Sequence, residues 1–179
     1  MRKQRKGSQC FWKVLRDRKV PVSHGDNVTK AEAKMVRKMT DLCLRELSKK
    51  DHELGASYAS MKQRCSVHVK YRRQCSYGGS AGITIDLWSL RDGETHMSEY
   101  AAIRNDPVIG SMDCGDVETR VLCVVAHEVA HHVQYRYGPR TRWLAKKYKK
   151  PHGEGWQAIY RILRSRVVNP RAVPQEEAA

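Results

Sequence analysis

None of the six cysteines, Cys10, Cys43, Cys65, Cys75, Cys114 and Cys123, belongs to a Cys-x-x-Cys pair. A thiolate-built zinc ribbon or finger is thereby excluded. Long apolar runs are missing too. The longest, 121–126, is far short of the roughly 20 residues that span a bilayer as a helix. The amino terminus has the charge of a secretion signal but not its apolar core, because 10–16 is interrupted by Lys13 and closed by Arg16. A chain of 179 residues can bury a core without cross-links, and without an export signal no disulfide framework is expected. Together these absences predict a soluble, cytoplasmic protein with no membrane association, taken as a monomer. No internal repeat is visible.

Acid is also scarce. There are 19 Asp and Glu against 34 Lys and Arg, a net charge of +15. Such an excess implies a polyanionic partner, most simply nucleic acid. The cations cluster in two places. Arg2, Lys3, Arg5 and Lys6 lie in an arm over 1–28 that also carries Phe11 and Trp12. Arg140, Arg142, Lys146, Lys147, Lys149 and Lys150 lie in a connection over 136–150. These ten residues are the candidate DNA contacts, with strandedness open. The aromatics of the arm can stack on bases or dock on the domain, and docking is the simpler reading for Trp12.

What remains reads as an α+β domain over 29–168. Thr29-x-x-Glu32 is a capping-box pattern, and Met35, Met39, Leu42, Cys43 and Leu47 follow at helical spacing, which predicts a helix over 30–50. Val67, Val69 and Tyr71 alternate with polar residues, as do Ile83, Ile85 and Leu87, with a Gly-rich turn at 77–80 between them. That pattern predicts a β-hairpin over 65–87. A third strand is expected near 100–104, giving a small three-stranded, mainly antiparallel sheet, although Pro107 argues against a long one. Asp116 is placed to cap a helix that Gly138-Pro139 stops. A last amphipathic helix starts near His152 and carries Trp156, Ile159, Tyr160, Leu163 and Val167. Residues 169–179 are expected to be a disordered tail.

The helix over 116–137 contains His127-Glu128-Val129-Ala130-His131. Histidines four apart share one helix face and can reach one metal ion. Glu128 flanks that face, where a general base acting on water belongs. A shuffled chain of this composition would carry H-E-x-x-H about once in fifty, so context matters. Here the motif lies mid-helix among apolar residues, where two imidazoles and a carboxylate are costly without a partner. His132 is offset by about 100° and is read as a flanking residue. Catalytic zinc takes three protein ligands, and His152 and Glu154 are the downstream candidates for the third. Gly153 is expected to let the backbone pass close to the motif helix. His24, His52, His68 and His96 stand in polar contexts and receive no site role. No residue is assigned to oxyanion stabilisation.

His127-Glu128-x-x-His131 followed by Pro151-His152-Gly153-x-Gly155-Trp156 resembles the SprT-like, or Spartan-type, metallopeptidases, which share H-E-x-x-H and a downstream H-G-x-x-aromatic. The likeness covers about 30–168 and is strong over 120–165. It implies a minimal zincin-like domain with His127, His131 and His152 holding Zn²⁺ and Glu128 as the base. It also implies a hydrolase acting on proteins held at DNA, of the DNA–protein crosslink repair type. Two features depart from the family: 88–110 is long for the link between hairpin and motif helix, and the C-terminal zinc ribbon of many members is missing. An edge strand near 83–87 or 100–104 is the expected seat for a substrate segment.

Overall fold

The computed structural model describes residues 20–25, 27–49, 58–72, 75–137 and 150–172, which form a mixed α+β fold. Of the candidate DNA contacts, Arg2, Lys3, Arg5, Lys6, Arg140, Arg142, Lys146, Lys147 and Lys149 lie outside the described residues. Lys150 lies within them and is exposed.

The elements in chain order are β1 (Val22–His24), α1 (Lys30–Leu47), α2 (Tyr58–Arg64), β2 (Ser66–Lys70), β3 (Tyr77–Gly79), β4 (Gly82–Asp86), α3 (Trp88–Arg91), β5 (His96–Met97), β6 (Met112–Asp113), α4 (Val117–Tyr137) and α5 (Glu154–Leu163). A π-helical turn, Arg164–Val168, and a 3₁₀ turn, Asn169–Arg171, continue α5. Among the described residues no helix is long and apolar enough to cross a membrane.

Both halves of the capping box form at α1. Glu32 N donates to Thr29 Oγ1 at 3.2 Å, and Thr29 N donates to Glu32 Oε2 at 2.8 Å. Met39, Cys43 and Leu47 are buried as the spacing predicts, and Met35 and Leu42 are half-buried beside them. The helix ends at Leu47, three residues earlier than expected, where Ser48 Oγ donates to the Arg45 carbonyl at 2.8 Å. Helix α4 is capped by Asp116, whose Oδ1 accepts from Thr119 N at 2.8 Å. It lies between the sheet on one side and α1 and α5 on the other. Val121, Leu122, Val125, Ala126, Val129 and Val133 are all buried, so α4 is the axis of the core.

The hairpin and the three-stranded sheet are corrected. The main sheet has four strands in the order β1-β2-β4-β3. Strand β2 runs parallel to β1 and to β4, pairing Val67 with Val22 and Ile83. Only β3 is antiparallel, pairing Gly78 with Ile83. The residues read as a turn, 77–80, include this strand; the chain leaves β2, passes the position of β4, and returns through a tight turn at 80–81. Every residue of β4 is buried, as suits an inner strand covered on both faces, whereas β2 alternates at its start. Residues 100–104 are turns, with Ile103 N donating to Tyr100 O and Asp106 N to Ile103 O, both at 2.9 Å. A separate two-stranded sheet, β5 with β6, flanks them instead. The folded unit is also wider than 29–168: β1 precedes it, and Asn169–Arg171 forms an ordered turn in the expected tail.

Candidate metal centre

His127 and His131 point from the same face of α4, with 6% and 7% of their surfaces exposed. The third histidine comes from a turn. Gly153 N donates to Lys150 O at 3.0 Å, closing residues 150–153, and His152 takes a left-handed backbone with φ 55°. Only a few per cent of non-glycine residues do so, and such conformations concentrate at functional sites. Two amides hold the turn against the helices: Gln134 Nε2 donates to Lys150 O and Gln157 Nε2 to His152 O, each at 3.0 Å.

The result is a convergence of ring nitrogens. His152 Nε2 lies 3.2 Å from His127 Nε2 and 2.8 Å from His131 Nε2, and ligand atoms of all three lie within 4.8 Å of one another. One N–H cannot serve two neighbours, so the trio cannot satisfy itself by hydrogen bonding. Tetrahedral zinc with Zn–N bonds of about 2.05 Å separates its nitrogens by about 3.3 Å, close to the spacings here. The residues therefore fit a metal ion. Burial, and then the neighbouring His127 and His152, pull the His131 pKa down to about 3. Burial, and then His127, bring that of His152 down to about 4. Both rings are thus held in the neutral form that ligates metal.

Trp156, wholly buried, packs against all three imidazoles, with ring centroids 4.7 Å from His127, 5.3 Å from His131 and 4.7 Å from His152. Its indole N–H donates to the His127 carbonyl at 3.2 Å. The aromatic residue of the second motif thus fixes ring orientation. Glu154, the rival third ligand, sits exposed in the first turn of α5 and outside the cluster. His132 faces elsewhere, its Nδ1 2.7 Å from the Gly79 carbonyl, tying α4 to β3. His24, His68 and His96 are exposed, and His52 lies outside the described residues.

Close backbone approach to the motif helix is made by Gly78, not Gly153. A Cβ on Gly153 would meet Lys150 in its own turn. A Cβ on Gly78 would lie 2.8 Å from His131 Cβ and closer still to the Glu128 carbonyl oxygen. Gly78 N–H also donates to the Glu128 carboxylate. Burial lifts the pKa of Glu128 to about 7, against the lowering effects of His127 and of that backbone bond. A carboxylate poised there can both take and return a proton near neutral pH.

A cavity of about 820 Å³ opens beside Glu128 and His127. Trp88, Met97 and Val124 give it an apolar wall, and Cys75 and Ser76 carry it to β3. Tyr100, half-exposed, packs against His152 with ring centroids 3.9 Å apart and the rings tilted by 40°. Its neighbour Glu99 turns inward, 4% exposed, behind His127. Gly78, Glu99 and Tyr100 are the site residues that sequence reasoning missed. Gly78 carried a turn signal, and Glu99 and Tyr100 carried none. Comparison with protein-family models, with curated proteins and with solved structures returns no match, so the site is read from its own geometry.

Proposed function

We propose that the protein is a zinc-dependent endopeptidase of SprT-like type with a zincin-like fold, acting on proteins held at DNA. The observation that carries this reading is the convergence of three imidazole Nε2 atoms beside a buried glutamate at the wall of an open cavity. Zinc, when bound, supplies Lewis acidity that activates water and polarises the scissile carbonyl. His127, His131 and His152 would hold it. Glu128 takes the proton of the attacking water and returns it to the leaving amine, a role that its near-neutral pKa suits. Of the two positions expected to seat substrate, 83–87 is an inner strand and 100–104 is a turn. The edge that borders the site is β3, whose outer side carries no strand among the described residues. A substrate segment added there would run beside Glu128 and set its side chains toward Trp88 and Met97. The charge of +15 supports a DNA partner, through the arm and connection named above together with Lys150.

The test is proteolysis of DNA-bound proteins, with and without DNA, by wild type and Glu128→Gln. The variant is expected to keep zinc and lose cleavage. Cleavage by wild type should rise with DNA and fall as salt increases. Equal behaviour of variant and wild type on every substrate would leave a non-catalytic zinc module. Cleavage indifferent to DNA would point to a free regulatory protein as substrate.

A further inference from the structure

We propose that Glu99 is a positioning residue for the metal centre, accepting the Nδ1 proton of His127 and so presenting Nε2 to the metal. The assignment rests on the metal-centre reading above and extends it to a residue without any local sequence signal. A neutral imidazole carries one proton. If His127 Nε2 faces a metal, that proton must sit on Nδ1. His127 Nδ1 is buried and has no hydrogen-bond partner among the described residues. A buried donor left this way is unfavourable. The acidic oxygen facing it is Glu99 Oε1, 3.5 Å away, slightly beyond a formed hydrogen bond. Glu99 itself is almost sealed, with 1% of its side chain exposed, and its Oε2 is likewise without a partner. Two unsatisfied groups of opposite character therefore share one enclosed space, and a small rotation of either ring or carboxylate joins them.

The carboxylate is held from behind. Tyr160 OH donates to Glu99 Oε1 at 2.7 Å, and Arg164 Nη1 donates to the Tyr160 oxygen at 3.1 Å. Arg164 Nη1 also stands 4.0 Å from Glu99 Oε1, both side chains being almost fully buried. The backbone is pinned as well, by Glu99 N donating to Ser111 Oγ at 2.9 Å. A guanidinium, a phenol and a carboxylate thus line up toward one ring of the three, in the arrangement by which outer carboxylates fix the tautomer and orientation of ligating histidines. His131 contrasts with it: its buried Nδ1 also lacks a hydrogen-bond partner among the described residues, a carboxylate included.

The experiment measures zinc affinity by chelator competition and the visible spectrum of the Co²⁺-loaded protein. It compares wild type, Glu99→Ala, Glu99→Gln and Tyr160→Phe, with metal-free stability followed by urea. Loss of the carboxylate is expected to weaken zinc about 10- to 100-fold and to shift the Co²⁺ bands. Glu99→Gln keeps the shape and an acceptor for Tyr160, so it carries the test if Glu99→Ala fails to fold; it should still bind zinc more weakly than wild type. Tyr160→Phe should affect metal-free stability more than zinc affinity. Equal zinc affinity and unchanged Co²⁺ bands in Glu99→Gln, with altered stability alone, would assign Glu99 a packing role and overturn the proposal. A wild-type protein that binds no zinc would instead remove the metal-centre reading on which the assignment rests.

Discussion

Helix α4, which carries two of the three imidazoles, and the connection from α3 to α4, which packs against His127 and His152, are built differently. The helix is regular, capped at Asp116 and buried almost throughout, and it delivers His127, Glu128 and His131 by its periodicity alone. The connection is mostly turns. It is held by side chains: Arg120 donates to the His96 carbonyl at 2.8 Å, Arg161 grips Asp106, and Asn169 Nδ2 donates to Val108 O at 3.2 Å. From it come Glu99, sealed behind His127, and Tyr100, packed against His152. Two of the three imidazoles thus sit on a regular buried helix, while His152, Glu99 and Tyr100 depend on a few discrete anchors. Disturbing the helix should therefore abolish the chemistry, and disturbing an anchor should weaken it.

The largest effect tests the helix side. Glu128→Gln should lower the cleavage rate about 10³-fold, the range of a general base, with zinc retained. The same change should stabilise the metal-free protein. A carboxylate whose folded pKa is raised to about 7 destabilises the fold increasingly above the ordinary value of 4.5, and fully above about 7. Removing it should therefore raise unfolding free energy at pH 8 by up to about 3 kcal/mol, read by urea denaturation. A loss of activity accompanied by a loss of stability would show that Glu128 is structural.

Next is the contact between β3 and α4. Gly78→Ala should cost about 3 kcal/mol, because the added methyl collides with backbone and cannot be relieved by a rotamer change. Gly79→Ala, with open space at its Cβ, is the neighbouring control and should cost less than about 1 kcal/mol. Similar costs at the two positions would mean that β3 is not pressed on the helix.

On the other side, Asp106→Ala frees Arg161 and leaves Val108 N and Ile109 N without their acceptor. It should cost about 2 kcal/mol and weaken zinc through Glu99, while leaving the helical content of circular dichroism unchanged. Undiminished zinc affinity would uncouple the connection from the metal face.

The smallest effect is in pH. His131 and His152 have folded pKa values of about 3 and 4 against 6.5 when unfolded, so below 6.5 the unfolded chain takes up protons that the fold refuses. Glu128 acts oppositely between 4.5 and 7. One net proton remains, and metal-free stability should fall by about 1 kcal/mol per pH unit from 6.5 to 4.5. Glu128→Gln should steepen that slope, and an unchanged slope would contradict the burial of these groups.

The motif helix and the helix that follows His152 were legible because their signals are local. Capping residues, spacing and each motif are contained within short stretches of chain, and His152, not Glu154, joins the cluster that could hold a metal ion. The strands Ser66–Lys70 and Gly82–Asp86 were legible as strands, but alternation specifies a face and not a partner. Their parallel pairing depends on β3, whose two glycines mimic a turn. Glu99 and Tyr100 lay beyond reach for another reason. Their roles are set by Tyr160, Arg164 and His152, far along the chain, and neither has a periodic pattern to announce it.

The hydrogen bond from Gly78 to Glu128 has a mechanical consequence. If a substrate segment lies along β3, the strand that carries it also carries the proton acceptor through that N–H. Shifts of the strand relative to the core then displace both together, and their mutual distance is preserved as a common-mode motion. Alignment between base and scissile bond would depend on one short strand, and much less on the rigidity of the whole molecule.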